Sequence, residues 1–207
     1  MSPLTRIILR SFVIGAPTTL VVFELVVYLR SKRHLVGHLN NSSYTPFRKL
    51  MAVASLVAVV VMYLAVLAAL VFEHGIRDLG DLGLEGIGVM PYLTLALTGL
   101  GLIFLLGSML QLGRGLRFFL PEGGAARLVT SGFYAFCRNP VSLGLILLFT
   151  GMFLIVPSAL YLVVLVIFVL GNHQRVLAEE DHLTETFGAD YAVYRRRVGR
   201  YLPRLRR

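Results

Sequence analysis

The sequence predicts an all-α, polytopic integral membrane protein with about five transmembrane helices and a cytoplasmic amphipathic helical cap at its C-terminal end. Three observations carry that prediction. Of 207 residues, 57% are hydrophobic and the mean hydropathy is +0.77, well above a soluble domain. Apolar runs of roughly 20 residues recur, the length a helix needs to cross hydrocarbon. The charged residues fall almost entirely between those runs. Backbone in lipid must satisfy its own hydrogen bonds, which selects helices.

The first span is expected over Ser11–Leu29, kinked near its start by Gly15-Ala16-Pro17. Glu24 lies inside it. An acid within a span is a functional candidate, set against snorkelling or pairing with a nearby arginine. In the loop Arg30–Lys49, His34 and His38 would share a helical face. Two histidines without a third ligand make a weak metal signal, set against a helix end extending into water, and no metal is expected. The second span, Leu50–Phe72, is aliphatic scaffold, and the loop Glu73–Met90 is acidic and glycine-rich. The third span, Pro91–Leu112, contains Gly99, Gly101 and Gly107, small residues that let helices approach closely in lipid. A basic, glycine-rich loop is expected from Gly113 to Gly124. It lacks Walker A spacing, and no strand precedes Gly113-x-Gly115, so neither phosphate motif is present.

The stretch LVTSGFYAFCRNPVSLG, Leu128–Gly144, organises the rest of the chain. Pro140 forces Asn139 out of helical geometry and is itself favoured in a first helical turn. Arg138-Asn139 is therefore the lip where a loop enters a membrane helix. The apolar run Val141–Leu170 is divided near Gly151 and Val156-Pro157-Ser158, predicting a hairpin of two short helices. Arg175, Glu179 and Glu180 follow. Arg175 and Glu179 stand four apart and can pair along one face. The two polar segments are expected to meet and form the active site. In the tail, Leu183, Phe187, Tyr191, Tyr194 and Val198 form an amphipathic stripe. Gly188 is expected to break it into two helices, and Tyr191 and Tyr194 read as packing residues of the cap. Cys137, the only cysteine, excludes an internal disulfide and reads as an inert small residue.

Net charge is +9, but it is segregated into flanks of the apolar spans, which argues against nucleic acid as a partner. Five spans with the C-terminus in the cytoplasm leave only Arg6, Arg10 and Arg77 of the 20 Lys and Arg on the other side. The expected location is an inner, plasma-type membrane, with the N-terminus outside and both polar lips facing the cytoplasm. Arg30 follows the first span without a small-residue cleavage pattern, so a cleavable signal is not expected. The chain reads as one domain, with N-terminal helices and loops over 1–127 and a catalytic core over 128–207. A cytoplasmic pocket open sideways to lipid suits a soluble cosubstrate meeting a lipophilic acceptor.

Gly132-x-Tyr134, then Arg138-Asn139-Pro140, then Gly144 on the helix form an ordered series. Glu179, Glu180, Leu183, Phe187, Gly188, Tyr191, Tyr194, Val198, Arg200 and Pro203 continue the series. Over Leu128–Pro203 the chain thus resembles the isoprenylcysteine carboxyl methyltransferase and phospholipid N-methyltransferase superfamily of integral-membrane methyltransferases. It departs at Asn139, where the family usually has histidine, and at Ser142, where it usually has tyrosine. Asparagine offers a hydrogen bond but does not titrate.

The resemblance implies S-adenosylmethionine as cofactor and a lipophilic or lipidated acceptor, either a prenylcysteine-like carboxylate or a membrane-lipid head group. It implies polar cofactor contacts from Arg138, Asn139, Glu179 and Glu180. Tyr134, Pro140 and the backbone around Gly132 would shape the adenosine pocket. Arg175 and Glu179 are the expected catalytic pair, with Arg175 holding the acceptor's head or positioning Glu179. An NADPH-dependent membrane sterol or enone reductase, and a catalytically degenerate scaffold of the same fold, stay open as alternatives. An amine acceptor must shed a proton, and no titrating histidine stands at the lip, which leans towards a carboxylate.

Overall fold

The computed structural model describes residues 45–71, 81–83, 88–116, 128–155 and 157–204. The expected first span, Glu24, His34, His38, most of the Glu73–Met90 loop and the end of the basic glycine-rich loop lie outside the described residues.

Five helices make up the described chain. Helix α1, Pro46–Val71, starts behind Thr45, whose Oγ1 accepts from the Arg48 amide at 3.3 Å and whose carbonyl accepts from Lys49 at 3.0 Å. A capping hydroxyl followed by proline at the first helical position is a strong helix start. Helix α2, Met90–Leu116, covers the third predicted span and runs four residues beyond it, so Gly113–Leu116 is helix where a loop was expected. Helix α3 is the single turn Phe133–Phe136. Helix α4, Pro140–Phe153, begins at the predicted lip with Asn139 as its N-cap. Helix α5, Ala159–Arg197, is capped by Ser158, whose hydroxyl accepts from the Tyr161 amide at 3.2 Å. No strand occurs among the described residues, only an isolated antiparallel bridge between Asp81 and Ser158.

The hairpin predicted at Pro157 is present, but its arms are unequal. Helix α4 has 14 residues, about 21 Å of rise against a hydrocarbon thickness of about 30 Å. The second arm was expected to be equally short. Instead α5 passes Leu170 without interruption into the charged segment, where packing holds Gly171 in place. A Cβ on Gly171 would strike the Met51 carbonyl oxygen and the Ser55 side chain of α1. The break expected at Gly188 is present, with φ 49° and ψ −116°, a backbone region that glycine alone adopts without strain.

Helix α1 packs on α5 and α2 packs on α4, while α4 and α5 share a smaller contact. The α2–α4 crossing is backbone against backbone. A Cβ on Gly101 would lie 2.6 Å from the Leu148 amide nitrogen, and one on Gly144 would lie 2.7 Å from that of Leu105. Lower down, a Cβ on Gly151 would strike Thr98. Of the three glycines assigned to packing in the third span, Gly101 and Gly107 do pack, the latter beneath the Phe133 ring. Gly99 faces open space. Leu105, Leu148, Met152, Met62 and Phe168 centre the core, where Phe149 meets Phe168 edge-on at 4.9 Å.

The stretch Met90–Leu112 and helix Ala159–Arg197 are long and apolar enough to cross a membrane, yet only 28% and 33% of their most apolar parts are buried. Core helices of soluble proteins hide such faces. Here Leu93, Leu100, Ile103 and Leu110 of α2, and Val163, Ile167 and Leu170 of α5, point outwards. Large exposed aliphatic faces on long helices are stable against lipid chains, so the protein is a membrane protein.

Candidate active site

The site forms where the α4 lip, the middle of α5 and the chain's return after α5 converge. Before the lip, the turn at Ser131-Gly132 is held from α2. Gln111 Nε2 donates to the Ser131 carbonyl at 2.7 Å, and Gln111 Oε1 accepts from the Phe133 amide at 3.1 Å. Gly132 has φ 54°, and a Cβ there would strike the Gln111 amide. Phe104 packs edge-on to Phe133 at 5.5 Å and tilted against Phe136 at 5.3 Å. The turn is therefore rigid before it reaches Arg138.

Glu180 is the hub of the buried cluster that follows. Its Oε1 accepts from Arg138 Nη2 at 2.9 Å, Arg138 Nε at 3.2 Å, Asn139 Nδ2 at 3.2 Å and Arg200 Nε at 3.1 Å. Its Oε2 accepts from Arg200 Nη2 at 2.8 Å. The Glu180 and Arg138 side chains are 3% and 6% exposed, so this is an interior charge cluster. Burial alone would raise the Glu180 carboxyl. The hydrogen bonds and charges of Arg200 and Arg138 outweigh that penalty and hold it below the usual carboxylate range.

Arg138 also closes the C-terminal end of α5. Its Nη1 donates to the Val198 carbonyl at 2.6 Å and to the Arg195 carbonyl at 3.2 Å. A cation at these orphan carbonyls complements the helix dipole. The main chain pairs as well: Arg138 N donates to Gly199 O at 2.8 Å and Asn139 N to Arg200 O at 3.1 Å. Tyr194 Oη donates to the Tyr134 carbonyl at 2.7 Å. The segment 198–201 is thereby strapped between the lip and α5.

A second polar group lies on the α4–α5 crossing. Arg175 Nη2 donates to Asn172 Oδ1 at 2.9 Å and to Ser142 Oγ at 3.4 Å. Asn172 is 2% exposed. Arginine only donates, which fixes the amide oxygen towards it and leaves Asn172 Nδ2 buried without a partner among the described residues. The expected Arg175–Glu179 pair is not formed. Ser142 and Asn172 compete for the guanidinium from inside the crossing, while Glu179 points outwards and is exposed. Its charge is close enough to Tyr134 to reinforce the rise in that phenol's pKa, of which burial is the larger cause.

Arg138, Asn139, Pro140 and Glu180 are thus brought together and buried, with Tyr134 and Gly132 on the preceding turn. Glu179 and Arg175 flank that cluster without touching each other. Sequence reasoning missed Gln111, Asn172 and the pair formed by His173 Nδ1 and Tyr201 Oη at 3.1 Å. A glutamine and an asparagine at the ends of otherwise apolar runs were the available signal for the first two. Nothing local could have shown the third, which joins residues 28 positions apart. Cys137 is fully buried, and burial pushes its thiol up to about 11, which makes it inert as expected. No group of His, Cys, Asp and Glu suited to a metal occurs among the described residues.

Compared with known proteins, residues 89–190 match the family model described as phospholipid methyltransferase. That span starts at α2 and runs through the lip, Arg175 and both glutamates. No curated protein and no solved structure matches the chain. The reductase and scaffold alternatives gain no support from either the match or the geometry.

Proposed function

Residues 89–190 belong to the phospholipid methyltransferase family, part of the integral-membrane methyltransferase superfamily, and from that premise we propose that the protein transfers a methyl group from S-adenosylmethionine to a lipophilic acceptor. The acceptor class that the family description favours is a membrane-lipid head group, with a prenylcysteine-like carboxylate as the other member of the same class of reaction. The reaction is placed at the cytoplasmic face of an inner, plasma-type membrane.

The observation that carries this reading is the pairing of a saturated cluster with an unsaturated one. Glu180 and Arg138 spend most of their hydrogen-bonding capacity on each other, Arg200, Asn139 and the end of α5. Beside them stand groups with capacity left over. Glu179 is an exposed carboxylate, Arg175 retains unused N–H groups, and Asn172 Nδ2 is a buried donor without a partner. A hydroxyl-bearing, ammonium-bearing cofactor and an acceptor with an anionic head together match that set: a carboxylate for the cofactor's ammonium or ribose hydroxyls, and a guanidinium and an amide N–H for the acceptor's anionic group.

When bound, the sulfonium supplies an already activated methyl, so the protein's task is orientation and electrostatics. In the proposed division of labour, Arg138, Asn139 and Glu180 line and rigidify the cofactor's polar end. Gly132, Tyr134 and Pro140 shape the adenosine wall, where the rigid turn held by Gln111 keeps the backbone in place. Glu179 holds the cofactor's ammonium or ribose. Arg175, aimed by Asn172 and Ser142, holds the anionic part of the acceptor's head at the level where α5 leaves the apolar zone. The apolar faces of α4 and α5 leave room for the acceptor's chains in the bilayer.

The test is equilibrium binding of S-adenosylmethionine and of its demethylated product to the purified protein in detergent, with NADPH as control. Saturable binding that weakens at least about tenfold in Glu179→Gln is expected, since a hydrogen bond to a charged group contributes about 1.5–3 kcal/mol. Folded protein that binds neither sulfur compound would sink the reading.

A further inference from the structure

We propose that His173, oriented by Tyr201, is the proton acceptor that prepares an amine head group for methylation; this rests on the methyltransferase reading above. Position 139 holds an asparagine and cannot titrate, whereas α5 carries an imidazole, His173, two turns from Glu180 on the membrane side. On α5, His173 and Glu180 are seven positions apart, which puts them within about 20° of each other around the helix and about 10 Å apart along it. The returning chain follows that face towards the membrane. Arg200 bonds Glu180, and the next residue, Tyr201, bonds His173 Nδ1 at 3.1 Å with the rings 6.0 Å apart. His173 is half-buried and lies two residues past Gly171, where the apolar part of α5 ends. That is the level of lipid head groups.

The pairing sets the chemistry of the other ring nitrogen. In the proposal Nδ1–H donates to Tyr201 Oη, which leaves the lone pair on Nε2, the nitrogen that takes the proton. Burial pushes the Tyr201 phenol up to about 12, so it stays neutral and carries both an O–H and an oxygen lone pair beside Nδ1. The charged groups around the pair are Arg175 and Glu180 on α5 and Arg200 on the returning chain. Arg138 stands on the lip. On α1, Arg48 is bound to Asp181 at 2.6 Å, with Lys49 beside it.

The head-group ammonium gives one proton to His173 Nε2, and the N–H bonding pair stays on nitrogen. That lone pair forms the N–C bond to the sulfonium methyl while the C–S pair returns to sulfur as a neutral thioether. The imidazolium then releases its proton to cytoplasmic water. A carboxylate acceptor would need none of this.

The experiment measures transfer of labelled methyl from S-adenosylmethionine to vesicles of phosphatidylethanolamine with phosphatidylglycerol, and separately to a prenylcysteine analogue, across pH 6–10. Binding of S-adenosylmethionine to each variant is measured in parallel. With the intact protein, methyl is expected on the ethanolamine amine. His173→Gln is expected to bind S-adenosylmethionine unchanged, lose about 100-fold or more in kcat near neutral pH, and recover as rising pH deprotonates the amine. Tyr201→Phe is expected to show a smaller loss with the same recovery. A loss in His173→Gln that stays constant with pH, or that tracks weaker cofactor binding, shows a structural latch and overturns the proposal. Cofactor binding with no methyl on the amine, whether or not the carboxylate is methylated, also overturns it while leaving the methyltransferase reading intact. Folded protein that binds no cofactor overturns both.

Discussion

Arg200 reaches back 20 residues to place its Nη2 2.8 Å from Glu180 Oε2, so one guanidinium from the chain's return closes a carboxylate that Arg138 already grips from the lip. Two cations on one buried anion make a lock whose parts come from three segments. Removing Arg200 leaves Glu180 paired with Arg138, so Arg200→Ala is expected to cost only about 1–3 kcal/mol. Removing Glu180 strands both cations, and Glu180→Gln is expected to cost about 3–5 kcal/mol. Chemical denaturation in detergent measures both, and equal losses would contradict the hub role of Glu180.

The same lock fixes the acid limb of stability. The Glu180 carboxyl is held below its unfolded value, because the arginine hydrogen bonds outweigh burial. Its contribution is therefore complete above the unfolded carboxylate pKa of about 4.3 and is lost as pH falls through the lower folded value. Thermal midpoints of the intact protein should hold steady from pH 7 to about 5 and drop below about 4. In Glu180→Gln this contribution to the acid-side drop should vanish from an already lower midpoint.

What the sequence could say about this architecture depended on range. Pro140, Pro157 and Gly188 punctuate the helices through their own backbone limits, so the lip, the hairpin and the kink were legible. That α5 would run unbroken past Gly171 was not, because the reason lies in Met51 and Ser55 on another helix. The spacing of Arg175 and Glu179 allowed a pair within one helix. It could not reveal that Ser142 and Asn172 would draw the guanidinium inwards. The meeting of Arg138 with Glu180 was expected from two polar edges facing one another, whereas the arrival of Arg200 and Tyr201 depends on a reversal after Val198 that carries no periodic signal.

The α2–α4 crossing predicts opposite outcomes for glycines two positions apart. A side chain at Gly101 would press into the Leu148 amide and the Gly144 carbonyl, at 2.6 Å and 2.8 Å, and backbone cannot move aside cheaply. Gly101→Ala should destabilise by about 1–3 kcal/mol or misfold. Gly99 has nothing within 4 Å of a new methyl group. Gly99→Ala should be neutral or stabilising by up to about 1 kcal/mol from helix propensity. Detergent unfolding of the pair provides the check, and similar behaviour would mean that the crossing is not glycine-limited.

Asn172 predicts a separation of stability from binding. Its Nδ2 is buried and unpartnered while its Oδ1 holds Arg175. Asn172→Asp removes the orphan donor and places a carboxylate against the guanidinium, so stability near neutral pH should hold or rise. The same change neutralises the local positive field and deletes the amide N–H assigned above to the acceptor's anionic head. Affinity for an acceptor with an anionic head should fall about tenfold or more, equivalent to about 1.4 kcal/mol. Titration of the variant with anionic lipid analogues, beside its unfolding curve, measures both halves; unchanged affinity would remove Asn172 and Arg175 from the acceptor site.

Cys137 offers an internal report on the strap. It is fully buried beneath the lip, and burial pushes its thiol up to about 11, so both access and thiolate fraction oppose alkylation near pH 8. Tyr194 on Tyr134, and the main-chain bonds from Arg138 and Asn139 to Gly199 and Arg200, close the site over it. As the only cysteine in the chain it can be labelled without background. Maleimide should react slowly with the intact protein, about tenfold or more faster with Arg200→Ala, and at the rate of a free thiol once the protein is unfolded. The acceleration follows because Arg200 joins the strap to Glu180, so losing it raises the open population and exposes the thiol. Equal labelling of the intact protein and Arg200→Ala, with both folded, would mean that the main-chain bonds and Tyr194 close the site without help from the ion pair.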